Sequence, residues 1–496
     1  MAGGLRFGRP AAAVAALFLV LLALMPPDGV LSDNEENYFQ LALQSVSAVR
    51  APADSAVFDS AHHRFLADHL LGWLVALAGF AGGQIIARSL AALAYAVALA
   101  ALFRRLGLEA LDAVLAVLVF ALMGQTLFGG EWLFGGAEAK VPAYVLVLAG
   151  LTLTLDGKRL GAALLFAAAT YFHFLVGIFW FGAAMLLAIL EEPRALRSVL
   201  AVSGIFSLLV APLLGWVAWS RLAAPAPDPS LPAPDVLYSL IRAPHHMAPF
   251  LDWPSFRDHW LGGYLLAGGM LGTLVLIRLP EDARLRRVAL WLALLIGYLV
   301  VALAASFVDR RAGVLGKFYP FRPAALVLLL WLALADAALA GLVRGQWPVV
   351  RLVALALVVP AFLLGAATRV VGEIDGQAAH APEKQALADY LRASASADAL
   401  VLIDPDRDLA FLDFERRTGH PMLVSWKFDP TTDPEIQEWY RRMEFRKAVF
   451  AEGCAGRNAY RVDFILTTTT HAEALAGCGP VVFRTGNAVL LRWAAH

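Results

Sequence analysis

Charge is scarce in this chain. Asp, Glu, Lys and Arg make up 16% of its 496 residues, and the two signs cancel to a formal net charge of zero. That balance argues against a nucleic-acid binder, which needs a basic face. Cysteine is scarcer still, with only Cys454 and Cys478 present. Several catalytic signatures are missing: there is no Walker loop, GxSxG elbow, HExxH helix or CxxC cluster. No internal repeat of the kind that marks solenoids or inverted-repeat transporters stands out.

What the chain has instead is apolar surface. Hydrophobic residues make up 60% of it, and the mean hydropathy is +0.66. They come in blocks of about 18–25 residues, the length that crosses a hydrocarbon core roughly 30 Å thick. The chain therefore reads as a mainly α, multi-pass membrane protein. Arg6 and Arg9 precede the run "AAAVAALFLVLLALM" without a small-x-small cleavage site after it, so this reads as an uncleaved first span. Spans are expected near 11–31, 84–103, 109–128, 141–155, 160–174, 175–190, 197–219, 260–278, 287–307, 321–343 and 348–371, about eleven in all. Residues 64–80 fit either a further span or a half-embedded helix. Lys and Arg in the short loops "FRRLG", "DGKRL", "EEPRALRS", "IRLPEDARLRR" and "VRGQW" mark the cytoplasmic side. The N-terminus is then cytoplasmic, and the loops 32–63, 220–259 and 308–320 and the C-terminus lie outside.

From about Gly372 the composition changes. Residues 372–496 hold 32 of the chain's 80 charged residues and no run long enough to span. The division is thus a transmembrane domain, 1–371, whose outer loop 32–63 bears interfacial helices, and a soluble extracytoplasmic α/β domain, 372–496. In the latter, "ADALVLIDP", "PMLVSWKF", "VDFILTTT" and "PVVFRTGNAVLLRW" read as strands, the last with a Thr-Gly-Asn hairpin turn. "DPEIQEWYRRMEFRKAVF" reads as a helix with Asp433 as N-cap and Pro434 at its first position. An oxidising exterior makes a Cys454–Cys478 disulfide the expected pairing.

The outer loops concentrate chemistry. "DNEENYFQLALQ" puts Asp33, Glu35 and Glu36 at the outer end of the first span, before an amphipathic helix. "FDSAHHRFLADH" carries His62 and His63, "GGEWLFGGAEAKVPAY" carries Glu131, Glu138 and Lys140, and "IRAPHHMAPFLDW" carries His245 and His246. "DRRAGVLGKFYPFRP" carries Arg310, Lys317, Tyr319 and Arg322, and His173 sits where a long apolar stretch breaks. Cations near the headgroups suit a lipid phosphate, which Arg binds bidentately and Lys as a point charge. Carboxylates, imidazoles and cations facing one compartment suggest a site for a phosphorylated lipid and a second, polar substrate. The bland readings are solvated acids, helix caps and snorkelling anchors. Adjacent His-His is not a specific ligand spacing, so no cofactor is assigned and a divalent metal stays open.

The acidic motif after the first span, the interfacial helix, the dozen or so spans and the outer α/β domain together resemble the GT-C superfamily of membrane glycosyltransferases. "EENYFQLAL" is similar to the acid-x-x-Tyr start of that superfamily's first outer loop, with Glu where Asp is usual. The resemblance implies a GT-C-like bundle in a bacterial inner membrane. It implies transfer of a sugar from a polyprenyl-phosphate or diphosphate donor to a saccharide, lipid or protein acceptor on the outer, periplasmic face. It makes Glu35 the first choice as catalytic base, with Asp33 and Glu36 behind it. The tail "MLVSWKFDPTTDPEIQEWYRRM" also resembles an uncharacterised family of bacterial multi-pass proteins. The alternatives are a transporter or flippase for a lipid-linked saccharide, and a non-catalytic scaffold with an outer binding domain.

Overall fold

The structure is a computed structural model that describes residues 9–47, 55–57, 64–276, 282–343, 346–428, 430 and 432–494. Twelve helices carry the N-terminal part: α1 Arg9–Leu24, α2 Asp33–Val46, α3 Phe65–Arg105, α4 Ala110–Leu122, α5 Lys140–Leu155, α6 Arg159–Phe172, α7 Phe174–Glu191, α8 Leu196–Leu222, α9 Gly262–Leu276, α10 Ala283–Asp309, α11 Ala324–Leu342 and α12 Trp347–Ser394. Every expected span falls on one of them. By length and composition, α3, α7, Pro193–Leu222, α10 and the Trp347–Gly372 part of α12 suffice to cross a membrane. The apolar helices α1, α4, α5 and α6 have 13–16 residues. At 1.5 Å per residue they rise only about 20–24 Å, short of a roughly 30 Å core.

Residues 64–80 form the first half of α3, which bends at Gly79 (φ 71°, ψ 177°). That backbone is open to glycine and strained for other residues. Helix α2 lies tightly on this half. A Cβ on Gly72 would stand 2.1 Å from the Ala42 carbonyl oxygen. The core is apolar side chains between helices, among them Tyr95, Phe166, Trp180 and Trp291, all fully buried. Little of the apolar Trp347–Gly372 part of α12 is buried, as for a lipid-facing helix.

Composition breaks near Gly372, but α12 does not: it runs without interruption through 372 to Ser394. The α/β part follows, with β1 Val401–Ile403, α13 Phe414–Thr418, α14 Asp433–Glu452, β2 Phe464–Thr468, β3 Val481–Thr485 and β4 Ala488–Arg492. The sheet order is β1-β2-β4-β3, with β1 parallel to β2 and the other pairs antiparallel. The β3–β4 hairpin turns at Gly486 (φ 54°), where the sequence places it. "PMLVSWKF" is not a strand; it contributes one bridge, Val401 with Met422. The N-cap of α14 is Thr432 rather than Asp433. Cys454 and Cys478 are bonded, with Cα atoms 5.1 Å apart.

The α/β part sits on α2, residues 55–57 and the 220–259 segment. Glu36 accepts from Arg416 at 2.5 and 3.0 Å. Ser55 donates to Glu415 at 2.7 Å, and Arg442 donates to the Ser55 carbonyl at 3.1 Å. Asp228 is tied to Gln437 through both its backbone groups and to Arg441 through its carboxylate. Leu237 of the 220–259 loop packs with Val424, Ile436 and Trp439. Residues of α2, 55–57 and the 220–259 segment are therefore packed into apolar clusters with the α/β part.

Candidate active site at the junction of the helical and α/β parts

The segment 124–139, between α4 and α5, carries a buried knot of charge. Glu131 is 4% exposed. It accepts from Arg322 Nε at 3.2 Å and lies 3.6 Å from Lys140 Nζ. Lys140 is also 3.6 Å from Glu138 and stands 3.6 Å over the Trp132 ring. Asn34 of α2 donates to Glu138 at 2.6 Å. Burial alone would raise the pKa of Glu131, but Arg322, then Lys140 and His246, bring it down to about 2. Burial works against the Arg322 charge, and Glu131 more than offsets it, so the guanidinium holds its proton more firmly than usual.

Arg322 is positioned from every side. Its Nη1 donates to His173 Nε2 at 2.6 Å, so the neutral ring carries its proton on Nδ1. The guanidinium stacks on Tyr319 at 4.1 Å. Tyr319 holds a left-handed backbone, φ 49°, of a kind that for a non-glycine residue is stored strain on the order of 1–3 kcal/mol and recurs at functional sites. Its hydroxyl is 3.0 Å from that of Tyr238, and Lys317 Nζ is 2.5 Å from Asp235.

These groups line a polar pocket of about 160 Å³, closed by Asn37 and Tyr38 of α2, Arg64, His173 and residues of the α/β part. At Leu175, Tyr319 and Arg322 the pocket meets a second cavity of about 230 Å³. That one is an aromatic groove along α7 and α10, lined by Phe179, Trp180, Tyr298 and Phe318. A polar pocket thus opens into an apolar groove between candidate membrane helices, with a guanidinium at the seam.

The expected acids part company. Glu35 is fully buried. One oxygen accepts from Arg88 Nε (2.9 Å) and Ala137 N (2.5 Å), the other from Arg88 Nη2 (2.5 Å) and Ser32 N (2.9 Å). With four donors on two oxygens, Glu35 ties α2, α3 and the 136–137 turn together and has no lone pair directed at a substrate. Glu36 is committed to Arg416; burial raises its pKa against the pull of that arginine. Asp33 is exposed and lines a larger cavity of about 1050 Å³.

The histidines also divide. His246 Nδ1 donates to the Gly129 carbonyl at 2.5 Å, 4.0 Å from the His245 ring. Burial, then His246 and Arg242, push the pKa of His245 down to about 4, and burial lowers His246 as well. His246 packs against His245 and bonds Gly129, with Glu131 opposing the effect of burial on it. His62 and His63 lie outside the described residues. Arg310 bonds the Phe307 carbonyl at 2.7 Å and does not line the pocket. Among the described residues, one cluster could hold a metal: Asp404, Asp406 and His471. It stands at the ends of β1 and β2, and none of its members lines the pocket.

Sequence reasoning missed Arg88, Arg64 and Asp235. Arg88 lies 53 positions from its partner Glu35, and Asp235 lies 82 from Lys317, so no local spacing announces either pair.

A protein-family model described as a domain of unknown function, DUF6798, matches residues 382–445. No curated protein matches. Among solved structures, the chain is similar to the archaeal oligosaccharyltransferase AglB from Archaeoglobus fulgidus, in complex with an inhibitory peptide and a dolichol-phosphate. Identity is 12% and the TM-score 0.44, over 92% of this chain and 69% of that one.

Proposed function

We propose that the protein is a membrane glycosyltransferase that takes its sugar from a polyprenyl-phosphate or diphosphate donor. The observation that carries this reading is the seam between polar pocket and aromatic groove. A phosphorylated lipid needs cations for its head and an apolar channel for its chain, and Arg322 stands where the two meet. In the proposal Arg322 and Lys317 hold the phosphate, Tyr319 orients it, and the isoprenoid lies along α7 and α10. The pocket faces the outside of a bacterial inner membrane, with the N-terminus in the cytoplasm.

Asp33 takes the base role. Asp33 and Asn37 are one turn apart on α2, on the same face. Asn37 lines the pocket and Asp33 the larger cavity, so in this reading donor and acceptor meet along one turn of one helix. The bond between the anomeric carbon and the phosphate oxygen breaks and the acceptor oxygen bonds to that carbon. The acceptor proton passes to the Asp33 carboxylate, and polyprenyl phosphate leaves with its charge on Arg322 and Lys317.

The test is binding and turnover on one set of purified variants. Arg322→Gln and Lys317→Gln should each weaken donor-lipid binding by about 1–3 kcal/mol, the range of charge-assisted hydrogen bonds. Asp33→Asn should bind donor normally and lose roughly 10²–10⁴ in turnover. Unchanged donor affinity in both cation variants would refute the donor site. Full activity in Asp33→Asn would return the base role to another group.

A further inference from the structure

The cavity beyond α2 has a composition of its own. Its wall comes from both parts of the protein: the first turn of α2, the 124–136 segment, α12 and residues 409–417. Six basic side chains line it, namely Arg88, Arg369, Lys384, Arg416, Arg417 and Lys427, against three acids, Asp33, Glu36 and Asp413. Four of the six are committed. Arg88 serves Glu35 and Arg416 serves Glu36, while Lys384 and Arg417 share Asp413 at 2.9 Å each. Arg369 and Lys427 make no ion pair among the described residues, and each lies on the cavity wall. In a chain whose total charge is zero, this is a local surplus of positive charge. A concave wall of one sign focuses the field and gathers counter-charge.

We infer that this cavity binds a polyanion, a molecule of glycan size carrying at least two phosphate or carboxylate groups, which Arg369 and Lys427 engage directly. Size supports this class. Small-molecule sites run from roughly 300 to 1000 Å³, and this cavity holds about 1050 Å³, room for several sugar rings. Lining chemistry supports it too: an apolar ligand would leave the unpaired Arg369 and Lys427 desolvated without compensation. That the polyanion is the acceptor rests on the transferase reading, through Asp33 on the same wall. That an anion binds here does not.

The experiment uses the full chain in nanodiscs and titrates two soluble probes, hexagalacturonate and maltohexaose, into phosphatidylcholine discs. The charged probe should bind at least about tenfold more tightly than the neutral one, and the advantage should shrink as salt rises. The double variant Arg369→Gln/Lys427→Gln should remove about tenfold or more of the charged probe's affinity and leave the neutral probe unchanged. Arg369 is exposed and Lys427 half-buried, and an unchanged melting temperature confirms the fold. Repeating the titration in phosphatidylglycerol discs separates the two sources of anion. Competition by the disc assigns the site to a lipid headgroup, and its absence assigns it to a soluble glycan. Lys317→Gln should not alter hexagalacturonate binding, so the donor reading and this one fail separately. Equal affinity for the two probes, or an unchanged affinity in the double variant, would overturn the inference.

Discussion

Glu131 shows how one side chain holds the polar pocket in shape. It is the shared partner of Lys140 and Arg322, so removing its charge takes from Arg322 its carboxylate and leaves Lys140 with Glu138 alone. Breaking a buried pair in this way is destabilising by about 3–5 kcal/mol. Glu131→Gln should therefore lower the unfolding temperature in detergent and abolish donor binding. The pH dependence carries a definite sign. The folded pKa, about 2, is below the unfolded value near 4.5, so the stabilisation is fully present above about pH 4.5 and is lost as pH falls towards 2. The stability gap between wild type and Glu131→Gln should thus be constant from pH 8 to 5 and narrow below that. A gap that widens on acidification would show that Glu131 is not the paired carboxylate. At this scale the sequence is partly legible. Lys317, Tyr319 and Arg322 stand out because they fall within six positions at the end of an apolar run, and the structure brings them to one pocket. That Glu35 is buried and Asp33 exposed is not legible. Arg88, deep in an apolar helix, decides that Glu35 is a tie and leaves Asp33 open to solvent.

Elements were easier to read than their boundaries. Apolar runs of helix length gave the positions of α1 and α4–α12, and His173 marks the break between α6 and α7, because its extended backbone (φ −151°, ψ 100°) serves as cap to both. The composition change near Gly372 does not coincide with a helix end, for a physical reason. Composition reports what surrounds a segment, lipid or water, whereas a helix needs only its own backbone bonds and can pass from one to the other. "PMLVSWKF" failed because it pairs with β1 at Val401 alone, through Pro421 and Leu423, while Met422 and Leu423 pack against side chains of the sheet. The disulfide is the element-scale feature with the largest expected effect. It closes a loop of 24 residues, which in the chain-entropy model stabilises by roughly 3 kcal/mol. Reducing it, or replacing both cysteines by serine, should lower the melting temperature of the α/β part and leave detergent-stable helices in place. A melting temperature insensitive to dithiothreitol would show that the surrounding packing alone holds that region.

For the molecule as a whole, the proposed orientation has a direct check. Alkaline phosphatase fused after residue 496 should be active in a bacterial host, because it folds only outside the cytoplasm. An inactive fusion, with a cytoplasmic reporter active at the same point, would reverse the topology and with it the face on which the pocket opens.

Because α12 is continuous, the α/β part is geared to the helical part by helical phase. The fixed points are Arg416 on Glu36 and Arg442 on the Ser55 carbonyl. One alanine inserted after Gly372 would turn everything beyond it by about 100° and advance it by about 1.5 Å. Arg416 would then face away from Glu36, and the wall of the large cavity would be dismantled. Seven inserted residues nearly restore the angle, to within about 20°, but lift the α/β part by roughly 10 Å. Neither insertion should be tolerated, and the two should fail differently. The single insertion should expose Arg416 and Glu36 to solvent labelling while the protein keeps its length. The seven-residue insertion should keep the rotational setting and open the pocket like a raised lid, which added rigid spacing cannot close.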